Sequence, residues 1–180
     1  MPRILALDLS LTDTGLCRVN VGPHGDLATR EVTRIKSKAG EATFKAASER
    51  IYLIVAAIRA AILEEKPDLV VIESPALGST TGQAHTRAWL WGKAYDEAAS
   101  HAEVVTVTPQ GIKMYATGRG NADKDEVLAA VVKRYPEFDV TNNNTADAVV
   151  AAAIGARFIG CPFDGDVPKT HLRAMDKLKR

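Results

Sequence analysis

Ile4-Leu5-Ala6-Leu7-Asp8 is a run of four apolar residues that stops on a carboxylate, and its reading decides the fold. Four consecutive apolar residues leave no polar face, so the run reads as a buried, parallel strand. The same pattern recurs at Leu69-Val70-Val71-Ile72, which stops on Glu73. A third carboxylate, Asp147, opens Ala148-Val149-Val150-Ala151-Ala152-Ala153-Ile154, which reads as an Ala-rich buried helix. In open α/β sheets, sites form beyond the carboxyl ends of strands, near a switch in strand order. If the first two strands are neighbours, Asp8 and Glu73 stand side by side. Like charges that close repel, and a divalent cation between them is the natural reason to keep both.

Working outward, residues 3–8 form the first strand and Thr12-Asp13-Thr14-Gly15 reads as a turn. Leu16 to Val21 and Leu27 to Ile35 are two further strands joined by Gly22-Pro23-His24-Gly25, which makes an antiparallel meander. Residues 43–65 form an amphipathic helix with Phe44, Ala47, Ile51, Ile54, Val55, Ile58 and Ile62 on one face. The strand at 69–73 follows Pro67-Asp68, and Gly78 to Gly82 is a loop of small polar residues. Beyond it come a helix from about Gln83 to Ala99, a strand from Glu103 to Val107 and a short helix opened by Pro109. Gly118-Arg119-Gly120-Asn121 breaks that helix, and residues 123–134 form the next. Asn142-Asn143-Asn144-Thr145 offers several N-caps for a helix from about Ala146 to Phe158. The order is a meander followed by α/β crossovers: a mixed five-stranded sheet flanked by helices on both faces. Residues 1–162 make the globular domain. Residues 163–180, with Lys169, Arg173, Lys177, Lys179 and Arg180, read as a basic tail or short surface helix.

The 180 residues suffice for one domain with a substantial core. A net charge of +1 gives no global attraction for nucleic acid, so such a partner must meet a local basic patch. Cys17 and Cys161 stand far apart without a CxxC pattern, which argues against a disulfide or zinc framework. His24, His85, His101 and His171 lack metal-ligand spacing and read as surface residues. No signal peptide and no 18-residue apolar run is visible, so a cytoplasmic protein is expected.

On these residues the chain resembles the RuvC-type Holliday junction resolvases of the ribonuclease H-like superfamily, over roughly residues 3–158. Ile4 to Gly15 is similar to their first strand with its Asp and Thr-Gly turn. Val70 to Glu73 is similar to the strand with their catalytic Glu, and Asp147 matches their last catalytic Asp. Lys113 and Lys124 fall on two lysines that the family uses near the scissile phosphate. The resemblance implies a metal-dependent, structure-selective endonuclease that hydrolyses phosphodiester bonds in branched DNA, such as four-way junctions and recombination intermediates.

It also implies two Mg²⁺ ions about 3.5–4 Å apart, with Mn²⁺ able to substitute. Asp8 is then the bridging ligand, Glu73 and Asp147 ligands of separate ions, and Asn144 an auxiliary ligand. Lys113 and Lys124 stabilise charge at the attacked phosphate. Lys36, Lys38 and Arg119, together with the two lysines, hold backbone phosphates.

Two positions depart from the family. Asn144 stands where Asp or His is usual, and it serves either as ligand or as helix cap. Ala76 stands where bacterial resolvases carry an aromatic wedge, which draws the chain toward the looser bacteriophage branch. Two further readings stay open: a junction-binding module that cuts weakly, and a phosphotransferase of the actin and sugar-kinase fold. The last needs Gly soon after the Asp, where this chain has Leu9-Ser10. A homodimer is expected, because a two-fold junction needs two active sites. In the family the helix after the Glu73 strand lies at that interface. Of Trp89 and Trp91, two apart on one helix, one faces the core and the other the partner.

Overall fold

The computed structural model describes residues 1–75 and 83–178. The expected loop from Gly78 to Gly82, the wedge position Ala76, and Lys179 and Arg180 of the tail lie outside the described residues. The elements follow the expected order: β1 Arg3–Asp8, β2 Asp13–Val21, β3 Leu27–Lys36, α1 Phe44–Glu65, β4 Leu69–Glu73, α2 Ala84–Ala99, β5 Glu103–Val107, α3 Pro109–Thr117, α4 Lys124–Arg134, α5 Asn143–Phe158 and α6 Lys169–Leu172. A short 3-10 turn, Met175–Lys177, comes last.

The five strands form one sheet in the order β3-β2-β1-β4-β5. β1 pairs antiparallel with β2 and parallel with β4, so the direction of pairing switches at β1. Side-chain alternation along β1 and β4 divides the core into two layers. Ile4, Ala6, Leu69 and Val71 pack with α5, Ile112 and Tyr115 of α3, and Val127 and Val131 of α4. Leu5, Leu7, Val70 and Ile72 pack on the other face with α1 and α2. Helices thus cover both faces, as expected for runs without a polar side.

α5 lies against the strands along its whole length, and nearly all its residues from Thr145 to Ala156 are buried. Its direction follows from two glycine contacts. A Cβ on Gly15, opposite Asp8 in the ladder, would fall 2.1 Å from the Asn144 carbonyl oxygen. A Cβ on Gly155 would fall 2.6 Å from a Val71 methyl and 3.1 Å from one of Ile4. The start of α5 therefore sits at the carboxyl end of β1 and its finish at the amino end. Both glycines permit an approach that any side chain would block.

Four expectations need correction. Asp13, Thr14 and Gly15 belong to β2 and not to the turn. The turn is Leu9 to Thr12, closed by Thr14, whose hydroxyl donates to the Ser10 carbonyl at 2.8 Å and accepts from Ser10 N at 3.1 Å. Ladder pairing with β1 and β3 overrides the turn-like composition. Phe44, assigned to the buried face of α1, is 87% exposed, because the packed stretch starts only at Ile51. α5 starts at Asn143 with Asn142 as its cap, three residues before the expected start.

The fourth concerns the tail alternative for the segment after Pro162, which holds the short, partly exposed helix α6 and is bound to the domain. Phe163 stacks edge-on to Tyr135 with centroids 6.0 Å apart, Ala174 is buried, and His171 Nδ1 lies 2.7 Å from the Tyr115 carbonyl. The packed unit thus runs past residue 162, and His171 is not a free surface residue. Among the described residues no helix is long and apolar enough to cross a membrane.

Candidate active site

The ladder carries Leu7 opposite Ile72 in the parallel pair, so Asp8 and Glu73 follow as neighbours at the strand ends. By alternation both share the face of Ala6 and Val71, which is the face covered by α5. Asp147 sits in the second turn of α5, whose amino end meets this same edge. Three carboxylates from β1, β4 and α5 thus meet where strand direction switches, the position at which open α/β sheets place their ligands.

Their electrostatics are those of carboxylates short of a counter-charge. Burial, then the charges of Asp147 and Asp13, push the Asp8 carboxyl up to about 7, and Lys124 partly offsets this. Burial and then the charges of Asp8 and Asp147 drive Glu73 well above its ordinary value, against Lys124 and Lys113. Asp147 is pushed up to about 6 by burial, with Lys124 and Lys113 again opposing. Lys113, half-buried on α3, and Lys124, exposed at the first position of α4, are thus within electrostatic reach of the site.

This donor set fits a divalent metal ion: oxygen ligands, net negative charge and raised proton affinity that a cation would displace. Among the described residues no three His, Cys, Asp or Glu side chains form a ready cage for one ion. Such a set suits ions whose remaining ligands are water and phosphate, which is the habit of Mg²⁺.

Asn144 is not the helix cap. That place belongs to Asn142, whose Oδ1 accepts from Thr145 N at 2.9 Å in a capping box. The Asn144 amide donates through Nδ2 to the Asp13 carbonyl, which leaves its Oδ1 as the atom of interest for a cation. Lys36 pairs with Asp13 in the β2–β3 ladder, on the same face as Asp8, and Lys38 is exposed just beyond. Arg119 is exposed and ion-paired with Glu126.

Contacts that sequence reading missed lie beside the acids. Trp91 Nε1 donates to the Glu73 carbonyl at 2.9 Å and its ring stacks on Tyr95 at 5.2 Å, which fastens the end of β4 to α2. Trp91 is therefore the inward tryptophan and Trp89, 37% exposed, the outward one. Asp13, Arg34 and Asn142 form a hydrogen-bonded cluster on the far side of Asp8. The Arg34 hydrogen bond holds the Asp13 carboxyl below the usual carboxylate range, opposite to the shift at Asp8.

Comparison with known proteins gives the family and the fold. Residues 4–156 match the family model described as crossover junction endodeoxyribonuclease RuvC. The chain is similar to the Thermus thermophilus RuvC structure, with a TM-score of 0.68 and 22% identity over 88% of this chain and 97% of that one. It is likewise similar to T. thermophilus RuvC in complex with Holliday junction substrate, with a TM-score of 0.64 and 23% identity over 84% of this chain and 91% of that one. Fowlpox virus resolvase, solved with Holliday junction DNA, matches with a TM-score of 0.52 and 13% identity over 88% of this chain and 99% of that one. At these identities the structural likeness is one of fold, the ribonuclease H-like fold that the resemblance implied.

Proposed function

The chain belongs to the crossover junction endodeoxyribonuclease RuvC family and is a structure-selective endonuclease of branched DNA, and we propose that Asp8, Glu73 and Asp147 are the residues that hold its divalent ions. The observation that carries this reading is three half-buried carboxylates at the strand switch, each pushed above its ordinary protonation range. The family is divalent-metal dependent; two ions and Mg²⁺ as the working metal are part of the proposal. When bound, the ions supply an activated water and stabilise charge on the attacked phosphate and the leaving oxygen.

The chain's own groups do the rest. Asp8, next to Glu73 at the ends of paired strands, would be shared by the ions, and Glu73 and Asp147 would each hold one. Asn144 adds an uncharged oxygen. Lys113 and Lys124, already within electrostatic reach of the acids, favour charge build-up on the phosphate. Lys36 and Lys38 extend this positive surface along the end of β3, and Arg119 lies beyond the end of α3, where its pair with Glu126 must open for it to hold a phosphate. Ala76 in place of an aromatic wedge favours loose branch recognition over sequence-selective cutting.

A homodimer completes the reading. α1 and α2 present Tyr52, Leu53 and Trp89 at 71%, 65% and 37% exposure, beside a cleft of about 470 Å³ lined by Tyr52, Val55, Trp89 and Lys93. Exposed aromatics grouped in this way suit the buried centre of an interface. Two copies joined here would set two active sites on the two strands of a junction.

Nick mapping on four-way, Y-shaped and linear DNA with Mg²⁺, combined with light scattering, tests the reading. Cuts confined to branched substrates by a species of dimer mass are expected. Junction binding without cuts in Mg²⁺ or Mn²⁺ would leave a binding module instead, and a monomer mass at micromolar protein would remove the dimer.

A further inference from the structure

Asp13 opens β2 on the face that carries Asp8, since Asp8 pairs with Gly15 and side chains alternate along the strand. Its carboxylate is held from two directions. Arg34 grips it with a forked contact, Nε donating to Oδ1 at 2.8 Å and Nη2 donating to Oδ2. Asn142 donates to it through Nδ2 at 2.8 Å. The Asp13 carbonyl accepts from Asn144 Nδ2.

Asn142 is therefore used at both ends of its amide. Oδ1 fixes the first turn of α5 by accepting from Thr145 N, and Nδ2 fastens that turn to β2. Gly15, two residues on, lets the Asn144 main chain close onto the strand. Asp147 stands one turn further along the same helix. Its distance from Asp8 is thus set by how the first turn of α5 docks on β2, and Asp13 makes two of the polar contacts that dock it.

We propose that Asp13, clamped by Arg34, is a positioning residue of the nuclease site, which docks the start of α5 on β2 and so sets Asp147 against Asp8. This rests on the assignment of Asp8 and Asp147 as metal ligands. Arg34 has two effects here. It fixes the rotamer of Asp13, and it neutralises a charge that would otherwise draw cations away from the three acids. Outer partners that orient metal ligands typically weaken metal affinity about 10–100-fold when lost.

Mn²⁺ binding measured by electron paramagnetic resonance, without DNA, reads this directly. Asp13→Ala is expected to weaken binding about tenfold. Asp13→Asn, which keeps an acceptor for Asn142 while dropping the charge, restores most of it. Asn142→Ser keeps a good N-cap but cannot reach Asp13, so it should lose as much as Asp13→Ala while remaining folded. The double variant Asp13→Ala/Asn142→Ser should lose no more than either single one, because both cut the same link.

Wild-type Mn²⁺ affinity in Asn142→Ser and Asp13→Ala, with only melting temperature lowered, would overturn the proposal and leave Asp13 a structural residue. Equal losses in Asp13→Asn and Asp13→Ala would overturn it too, in favour of a bulk charge effect. Asp147→Asn is the control for the underlying assignment. Unchanged Mn²⁺ affinity there would overturn the ligand set itself and this proposal with it, whereas a loss there beside intact Asp13 variants removes the positioning role alone.

Discussion

α5 begins and ends on buried charge, and the two ends treat it in opposite ways. At the carboxyl end of the helix, Arg157 donates to Asp164 at 2.6 Å and to the Tyr115 hydroxyl at 2.8 Å. The fully buried Asp164 also accepts from Tyr115 at 2.7 Å and Tyr135 at 3.1 Å. Both its oxygens are satisfied by this chain. At the amino end, Asp147, Asp8 and Glu73 share one edge of the sheet, Lys113 and Lys124 offset them in part, and all three are pushed upward. A fold that satisfies one carboxylate so fully at one end of a helix, and leaves three short of counter-charge at the other, supports the proposal that those three serve a ligand that brings positive charge.

This contrast breaks most decisively at Asp8. Asp8→Asn should cut cleavage of branched DNA by about a thousandfold or more, on the order of 4 kcal/mol at about 1.4 kcal/mol per tenfold, while fold and DNA binding persist. Single-turnover cleavage in Mg²⁺ with the folded variant checks this, and near-wild-type rates would dissolve the difference between the two ends.

Next comes the satisfied end. Arg157→Met should destabilise the protein by about 3–5 kcal/mol, because it strands a buried carboxylate, and leave turnover intact wherever the variant is folded. Urea denaturation alongside cleavage below the melting range separates the two effects. A large loss of turnover in the folded variant would show that the far end also serves the reaction.

The smallest effect is expected from Asn144→Asp. A carboxylate in place of the amide adds negative charge that attracts a bound ion, while loss of the amide donor to the Asp13 carbonyl costs about 1 kcal/mol. Activity should persist and the Mg²⁺ midpoint should fall by no more than a few-fold. A severe loss with an intact fold would show that the amide hydrogen bond, and not the oxygen ligand, is what this position supplies.

The three acids were legible because each borders an apolar run, and a run of four buried residues fixes where the strand ends. The mixed five-stranded sheet was legible for the same reason, whereas the pairing of β1 with β4 stood only as a condition. The Asp13–Arg34 clamp was not, because it joins residues through the β2–β3 register, and Thr12-Asp13-Thr14-Gly15 has the composition of a turn. Knowing that Asp8 pairs with Gly15 would have placed Asp13 on the site face at once. The Asp164 network was hidden by its neighbours. Lys169 and Arg173 make the segment look like a solvated tail, whereas Phe163 and Ala174 hold it to the domain. Trp89 and Trp91 could be separated in principle but not assigned, since the deciding contact is with a main-chain carbonyl at Glu73.

The claim that the amino end of α5 is short of positive charge until a cation arrives is tested most directly by thermal stability against pH. Folded carboxylates with raised affinity bind more protons than the unfolded chain, so their stabilising contribution is full below about 4 and lost as pH rises through about 6 to 7. Subtracting the Asp8→Asn curve from that of the wild type isolates the site from the other titrating groups. The account predicts that the metal-free difference falls steadily between pH 4 and 7, and that Mg²⁺ restores the wild type at pH 7.5 but has no effect at pH 4. A difference that stays flat or rises over that window, with no response to Mg²⁺ at pH 7.5, would contradict it.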